Sequence, residues 1–386
     1  MKRIKSIDFA RGIVMIIMAL DHTRDMMHVN SLTQSPTDLS TTTATLFFTR
    51  WITHFCAPTF VFLAGVSAYL SFKNKNDVAA SRRFLLSRGV WLIILEFTLV
   101  NFALFFDIHF SSFIFEVIAA IGFGFIILGL LLKVPVKTIG FIGLLIIFGH
   151  NVFSLIPFAK GSLVNTILSP LFVLGAFPIT SKITLVMAYP VIPWLGIILA
   201  GFATGKIFYL DPIERKKIFL KIGFLALLLF MALRFINIYG DPVPWAHQKN
   251  TLFTFLSFIN VTKYPPSLLF CLLMLGGMFL LLSFAEGLKN KFSNFVIVYG
   301  KVPLFYFLIH LYVIHLLTLA MVYLQGFKTS QLIFGFTFGR PKAGSGVNLF
   351  IIYLIWIGVV ILMYPICKWY GKYKAEHKEK IWLRYL

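Results

Sequence analysis

The sequence predicts an all-α, polytopic membrane protein with about ten transmembrane helices and with both termini in the cytoplasm. Of its 386 residues, 59% are hydrophobic and only 13% are charged, which is about half the charged share of a soluble protein. Most of its apolar stretches are long enough for a hydrocarbon core about 30 Å thick. The predicted spans lie near residues 7–28, 45–72, 84–104, 112–132, 138–157, 185–206, 218–239, 266–285, 296–324 and 348–368.

Basic residues are distributed unevenly between the two sides of these spans. With the amino terminus inside, most of the 35 lysines and arginines fall in cytoplasmic ends and loops, as the positive-inside rule requires. The outer loops carry only Lys160, Lys182, Lys249, Lys263, Lys328, Arg340 and Lys342. Because topology explains the net charge of +21, we expect no nucleic-acid partner. The expected setting is the lipid bilayer of the inner cell membrane.

We interpret residues 1–386 as a single transmembrane domain, because no soluble domain or low-complexity tract interrupts the spans. The first apolar run carries Asp and Arg, unlike the clean apolar region of a cleavable signal peptide, so we expect it to remain as a helix. Cys56, Cys271 and Cys367 lie in three spans without a CxxC spacing. Neither a disulfide framework nor a cysteine metal site is therefore predicted.

The first span carries ionisable residues along one stripe. At about 100° per residue, Arg11 and His22 fall about 60° and about 40° to one side of Asp8, and His22 lies about 21 Å further along the axis. Asp21 directly precedes His22. Ionisable groups inside a membrane segment are costly and by default mark a pathway or a reaction centre. Alternatively, Asp8 and Arg11 form only an ion pair at the helix start, which would leave Asp21 and His22 unexplained.

The second span opens with Arg50 and His54, one turn apart on one face, followed by Pro58, which frees backbone groups at membrane depth. His22 and His54 are both predicted in the outer half of the bilayer, and helices joined by one loop usually pack together. The pattern therefore predicts a two-histidine site. The alternative is that His54 only hydrogen-bonds a neighbouring helix.

A third histidine lies deep in the ninth span. His310 is about 15 Å along the helix from Gly300, near the bilayer centre, which predicts a polar cavity around it. No HxxxH or HExxH pattern joins the histidines, so no metal is predicted. Near the sixth span, Tyr189 and Trp194 are candidate wall residues of an outer pocket, and Lys263 is interpreted as an interfacial anchor.

The opening motif resembles that of a known family. The run Asp8-x-x-Arg11-Gly12, with His22 fourteen positions after Asp8, is similar to the first helix of the transmembrane acyltransferase superfamily. It resembles most the heparan-α-glucosaminide N-acetyltransferase catalytic-domain family, including its bacterial branch. Further segments fit this resemblance and extend it over most of the chain: Met18 to Asp25, Thr53 to Gly65, Tyr189 to Gly196, and Gly300-Lys301 with His310.

The resemblance implies transfer of an acetyl group from cytoplasmic acetyl-CoA to an extracytoplasmic acceptor, a sugar or glycan, with a histidine at the reaction centre. His22 occupies the catalytic histidine position of the related polysaccharide O-acyltransferases. The lysosomal enzyme looks to have an asparagine there and its histidine in the following loop, a role that His28 or His54 could supply here.

The residues themselves fit this chemistry. An acceptor hydroxyl or amine must lose a proton as it attacks a thioester, and a neutral imidazole with a nearby carboxylate suits that task. We therefore expect His22 to act as general base, or as a transient acyl carrier, with Asp21 or His54 orienting it. The expected donor-binding residues are Asp8, Arg11, Arg24, Lys301 and His310. A basic cytoplasmic mouth that includes Arg82 and Arg83 would suit coenzyme A phosphates, although topology explains the same charges.

Another class of protein would also bury Asp, Arg and His in its spans. A secondary transporter coupled to protons uses such groups along its pathway. Against this alternative, neither hydropathy nor motifs indicate an inverted repeat. The acyltransferase hypothesis needs acyl-CoA, a glycan acceptor and the bilayer as partners, and a homodimer is the assembly considered.

Overall fold

The protein is largely helical in the computed structural model, which describes residues 3–155 and 163–385. The helices in chain order are α1 (Lys5–Met27), α2 (Ala44–Thr53), α3 (Cys56–Lys75), α4 (Val78–Leu95), α5 (Asn101–Phe105), α6 (Val117–Leu131), α7 (Val136–Gly149), α8 (Leu163–Phe172), α9 (Val191–Thr204), α10 (Pro212–Ile236), α11 (Thr251–Ile259), α12 (Leu268–Ala285), α13 (Lys291–Gly300), α14 (Pro303–Leu324) and α15 (Leu349–Glu376). Short strands are β1 (Ser112–Phe115), β2 (Gly175–Pro178) and β3 (Thr184–Met187).

Long apolar helices confirm the prediction of a polytopic membrane protein. Within the described residues, eight helical segments are long and apolar enough to cross a membrane. Each of the predicted spans coincides with at least one helix, and α6 is an additional shorter apolar helix. α1 is helical over its predicted span but is not among the eight, so its crossing of the membrane stays a prediction. The total of ten spans and the sides of the termini stay predictions. Pro157, at the end of one predicted span, and Lys160 lie outside the described residues.

A small three-stranded sheet accompanies the helices, while the predicted all-α class holds for the chain as described. Its strands are ordered β1-β3-β2, and β2 pairs with β3 in antiparallel register from Gly175 opposite Met187 to Pro178 opposite Thr184. β1 and β3 occupy the first residues of two predicted spans, so these helices begin later, at Val117 and Val191. Strands of four residues carry too few alternations to be distinguished from an apolar span end by periodicity.

The chain forms two compact units whose segments alternate along the sequence. The first unit contains the residues up to Ile7, Ala57–Phe97 and Phe113–Leu288. The second unit contains Asp8–Cys56, Thr98–Ser112 and Lys289–Leu386. The residues predicted for catalysis and donor binding belong to the second unit, whereas the basic mouth at positions 82 and 83 belongs to the first.

Close helix packing organises the first unit. A Cβ atom at Gly65 would overlap the carbonyl oxygen of Ile198, and one at Gly201 would overlap that of Phe62. α3 and α9 therefore approach with their backbones in contact, as small residues permit in membranes. Gly201 is thus a packing residue.

A buried ion pair joins three further parts of the first unit. Arg215 on α10 donates to both carboxylate oxygens of Glu286, at 2.8 Å and 2.6 Å. The hydroxyl of Ser6, in the first turns of α1, donates to the same carboxylate at 2.6 Å. This two-pronged pairing satisfies charges that would be costly to bury alone.

In the second unit, α1 packs against α13 without room for a side chain at two positions. A Cβ atom at Gly12 would overlap the carbonyl oxygen of Val296, and a Cβ atom at Gly300 would overlap that of Asp8. We call this contact the α1–α13 seam. It holds Lys301, the next residue after Gly300, at about the same position along the axis of α1 as Asp8.

Replacing Gly300 with alanine is expected to destabilise the protein by about 1–3 kcal/mol, because the added methyl group would push the two backbones apart. The matched control is Gly358→Ala in α15, where a Cβ atom meets nothing within 4 Å. That control should be neutral or stabilise by about 0.5–1 kcal/mol, as alanine is favoured over glycine in helices. Thermal unfolding of the purified proteins in detergent measures both. Equal midpoints for the two variants would contradict the seam.

Candidate active site

The last turns of α1 bring most of the predicted catalytic residues to one level. α1 is continuous from Lys5 to Met27, so the about 21 Å rise between Asp8 and His22 holds in the folded helix. His22 is partly accessible, whereas Asp21 and Arg24 are buried. His22 can therefore meet a ligand, while its neighbours are committed to contacts within the protein.

Asp21 is the centre of a polar network. Its carboxylate accepts two bonds from Arg50 Nη1, at 2.6 Å and 2.5 Å, and one from the hydroxyl of Thr53 at 2.8 Å. Arg24 Nη2 donates to it at 2.8 Å. Charge-assisted bonds of this kind are about twice as strong as neutral ones, so Asp21 joins the end of α1 to the end of α2.

Arg24 completes a group of four charges with no net charge. Its guanidinium also lies 2.8 Å from Asp25, and its side chain is 2% exposed against 43% for Asp25. Asp21, Asp25, Arg24 and Arg50 form what we call the outer quartet. Arg24 lies about four helical turns from Asp8 and is held by these carboxylates. Its contact with the donor stays a prediction.

An arginine from a distant loop caps α1. Arg340 is buried, and it donates to the carbonyl oxygens of Met26 and His28 at 3.2 Å and 3.0 Å. It also donates to the Ser345 carbonyl at 2.6 Å. Burial lowers the pKa of Arg340 to about 10, so the cation persists at neutral pH. These bonds satisfy carbonyl groups that a helix end leaves without partners.

His28 lies within this cap. Its side chain is buried, and its ring Nδ1 accepts the backbone N–H of Asn30 at 3.3 Å. Its backbone forms a parallel bridge with Val347, and Arg340 binds its carbonyl. His28 thus belongs to the structure that holds the end of α1 in place.

The second span breaks at His54. α2 ends at Thr53, α3 begins at Cys56, and His54 is buried at the junction. Pro58 lies in the first turn of α3, where its ring would clash with the carbonyl four residues earlier, which is that of His54. The Cys56 thiol donates to the Val14 carbonyl on α1 at 3.3 Å. His54 is therefore positioned beside α1 by contacts on both sides of it.

The structure pairs His22 with His310. Their ring centroids are 5.2 Å apart with a tilt of 58°, and His310 is completely buried. His310 Nδ1 lies 2.9 Å from the Tyr306 carbonyl, and since a carbonyl only accepts, Nδ1 carries the proton. The neutral ring then presents Nε2 as an acceptor, which has no hydrogen-bond partner within residues 3–155 and 163–385.

The hydroxyl of Tyr306 is a second buried polar group near His310. Its ring stacks on that of His310 with centroids 5.0 Å apart, and its oxygen also lacks a partner in the described part of the chain. Buried polar atoms are normally hydrogen-bonded, so two orphans on one helix indicate a place for a polar ligand. The polar cavity predicted around His310 stays a prediction.

The profile of one known family matches this chain. Residues 3–240, more than half of the chain, match the family described as heparan-alpha-glucosaminide N-acetyltransferase, catalytic. The chain belongs to this family. It is accordingly a multi-pass membrane protein of an acetyltransferase family. Among curated proteins, none matches it.

The acetyltransferase match covers part of the site. Asp8, Arg11 and the outer quartet lie inside it, as do His22 and His54, while His310 and Arg340 follow it in the chain. The matched region also runs through segments of both units. The family therefore accounts for α1 and α2, and the structure adds the partner of His22 from α14.

Three residues that the sequence singled out, Tyr189, Trp194 and Lys263, lie in the first unit and not among the residues of the candidate site. Tyr189 and Trp194 are buried in the first unit with ring centroids 4.5 Å apart. Lys263 is also buried there, over the ring of Tyr264 at 4.9 Å, although it was interpreted as an interfacial anchor. Among the described residues, no group of three or more His, Cys, Asp or Glu side chains could hold a metal.

Sequence reasoning missed Tyr306 and the cap by Arg340. Tyr306 precedes His310 by one helical turn, so its i, i+4 spacing was a usable signal. Arg340 lies in a loop with Gly and Ser, where no periodicity indicates the direction of a side chain.

Proposed function

We propose that the protein transfers an acetyl group from cytoplasmic acetyl-CoA to a hydroxyl or amine of an extracytoplasmic sugar or glycan, with His22 as general base. The observation that carries this proposal is the partly accessible His22 ring beside the buried, unpartnered His310 Nε2. Because His22 is partly accessible, an acceptor can approach it and give up its proton. The buried His310 ring beside it offers a fixed hydrogen-bond acceptor for a bound ligand.

The proton and the acyl group move in opposite directions in this reaction. A ring nitrogen of His22 takes the acceptor proton as the acceptor oxygen or nitrogen bonds to the thioester carbonyl carbon. The carbon–sulfur bond then breaks, and the His22 imidazolium returns the proton to the leaving thiolate. Histidine suits both steps because the ordinary pKa of an imidazole lies near neutral pH.

The unpartnered groups on α14 fit the amide-rich arm of the donor. His310 Nε2 can accept an amide N–H of the arm, and the Tyr306 hydroxyl can donate to an amide carbonyl. At the other end of α1, Arg11 and Lys301 offer cations at the level of Asp8, which suits the nucleotide phosphates. The length of α1 thus separates a phosphate end from a thioester end.

The remaining predicted residues act through position. The outer quartet, with Asp21 at its centre, fixes the end of α1 that carries His22. The break in the second span places His54 near the same end of α1. The acetyltransferase works in the inner cell membrane with both termini in the cytoplasm. We propose residues 1–386 as one catalytic domain, since the family match runs through segments of both units. A homodimer is the proposed assembly.

Sealed membrane vesicles of both orientations test donor, direction and activity together. Acetyl-CoA does not cross membranes, so radiolabelled acetyl-CoA added outside should label acceptors in inverted vesicles. In right-side-out vesicles it should label them only after permeabilisation. Vesicles from cells without the protein are the control. Labelling of sealed right-side-out vesicles would contradict the orientation, and no labelling in either orientation would favour a transporter.

A further inference from the structure

A basic pocket lies in the first unit, and none of its lining residues belongs to the candidate active site. Its cavity of about 620 Å³ is lined by Val78, Ala79, Arg82, Arg83, Leu86, Ser87 and Lys133. This volume lies within the range of about 300–1,000 Å³ that is common for small-molecule sites. Its lining brings three cations together without an acidic residue, which is the composition of a phosphate site. The Ser87 hydroxyl donates to the Phe84 carbonyl at 3.1 Å, so the cations carry the argument.

The closest acidic residue in sequence is already engaged. Asp77 precedes the pocket segment, and its carboxylate accepts the Ala80 backbone N–H at 3.0 Å as the cap of α4. The pocket cations therefore lack a carboxylate among the residues that line it. An anionic ligand would supply the missing charge.

The pocket continues into an exposed apolar stripe of α4. Arg83, Ser87, Val90 and Ile94 follow each other at three- or four-residue spacing, which places them on one helix face. Val90 and Ile94 are each 50% exposed, as expected for residues that meet acyl chains. Leu130, near the end of α6, is exposed as well. Because α4 and α6 pack against each other, an acyl chain can lie along both helices beneath the pocket.

We propose that this pocket binds the headgroup phosphate of an anionic phospholipid, whose acyl chains lie along the stripe of Val90 and Ile94. A free nucleotide phosphate would also complement the pocket cations, but it has no acyl chain to contact the exposed apolar stripe. The charge pattern predicts this end of α4 to be cytoplasmic, where anionic lipids attract basic residues. The proposal does not depend on the acetyltransfer activity.

Native mass spectrometry of the full-length protein tests the proposal with phosphatidylglycerol as the probe and phosphatidylcholine as the neutral lipid. A basic residue beside the bound headgroup contributes roughly fivefold in affinity. Removing two of the three cations that line the pocket, with Arg83→Gln and Lys133→Gln, should therefore weaken phosphatidylglycerol binding about 25-fold. The matched control is Lys216→Gln with Lys217→Gln, two exposed cations on α10. This control should bind phosphatidylglycerol like the wild type.

A second variant keeps the charges and fills the cavity. Ala79→Trp changes an exposed residue of the pocket lining, so it should fold normally and still lose phosphatidylglycerol. Equal binding of phosphatidylcholine, or equal loss in the α10 control, would overturn the proposal. Displacement of phosphatidylglycerol by adenosine 3′,5′-bisphosphate, the nucleotide end of the donor, would assign the pocket to coenzyme A and overturn it as well.

Discussion

Replacing His22 with alanine is expected to lower the acetyl-transfer rate by about 10²–10⁴-fold, because the acceptor would lose its general base. Binding of acetyl-CoA should change little, since its affinity comes mostly from nucleotide and arm contacts. Radiolabelled transfer at saturating donor measures the rate, and calorimetry measures donor binding.

Controls separate this role from a structural one. His109→Ala changes an exposed histidine of the same unit and should leave the rate unchanged. Added imidazole should partly restore the His22→Ala enzyme if only the base is missing. Because His310 is proposed to contact the donor arm, His310→Ala should weaken acetyl-CoA binding more than His22→Ala does. Wild-type turnover by His22→Ala would eliminate the assignment, and complete loss in His54→Ala alone would transfer the role to His54.

Replacing Asp21 with asparagine is expected to destabilise the protein by about 3–5 kcal/mol, the usual cost of removing one partner of a buried ion pair. The change leaves Arg50 without the carboxylate that it contacts twice, and leaves Arg24 with the more exposed Asp25. Thermal unfolding in detergent measures the loss, and transfer activity should fall with it because the end of α1 is no longer fixed.

Two comparisons sharpen the test of Asp21. Asp25→Asn removes the other carboxylate of Arg24, but its side chain is 43% exposed, so a loss within about 1 kcal/mol is expected. Combining Asp21→Asn with Arg50→Gln removes a charge of each sign and should recover part of the stability lost in Asp21→Asn. A double variant whose loss is the sum of the single losses would contradict the coupling.

Membrane physics made the helical part of the fold predictable. A hydrocarbon core admits few alternatives to long apolar helices, so hydropathy located the helices of all predicted spans. The ends were less certain, because β1 and β3 are apolar too. Pro58 indicated freed backbone groups in the second span, which was predicted as one stretch, 45–72. The break at His54 was not predicted; it lies where the proline ring would clash with the carbonyl four residues earlier.

The candidate site was predictable only in part. The spacing on α1 placed Asp8, Arg11 and His22 on one helix, because helical periodicity is local. That His310 neighbours His22 depends on how α1 meets α14, from the other end of the chain, which sequence spacing does not show. The predicted pairing of His22 with His54 stays a prediction. The contacts of Arg24 show the same limit. Its ion pairs with neighbouring carboxylates depend on side-chain directions, which sequence spacing does not determine.

The α1–α13 seam has a consequence for motion. Its contacts are between backbones, so α1 and α13 cannot slide past each other by exchanging rotamers and behave as one rigid block. His310 belongs to α14, which begins at Pro303 after a joint of two residues, Lys301 and Val302. Hinge movements concentrate in such short joints. A change of backbone angles at Lys301 and Val302 would therefore change the separation of the His22 and His310 rings.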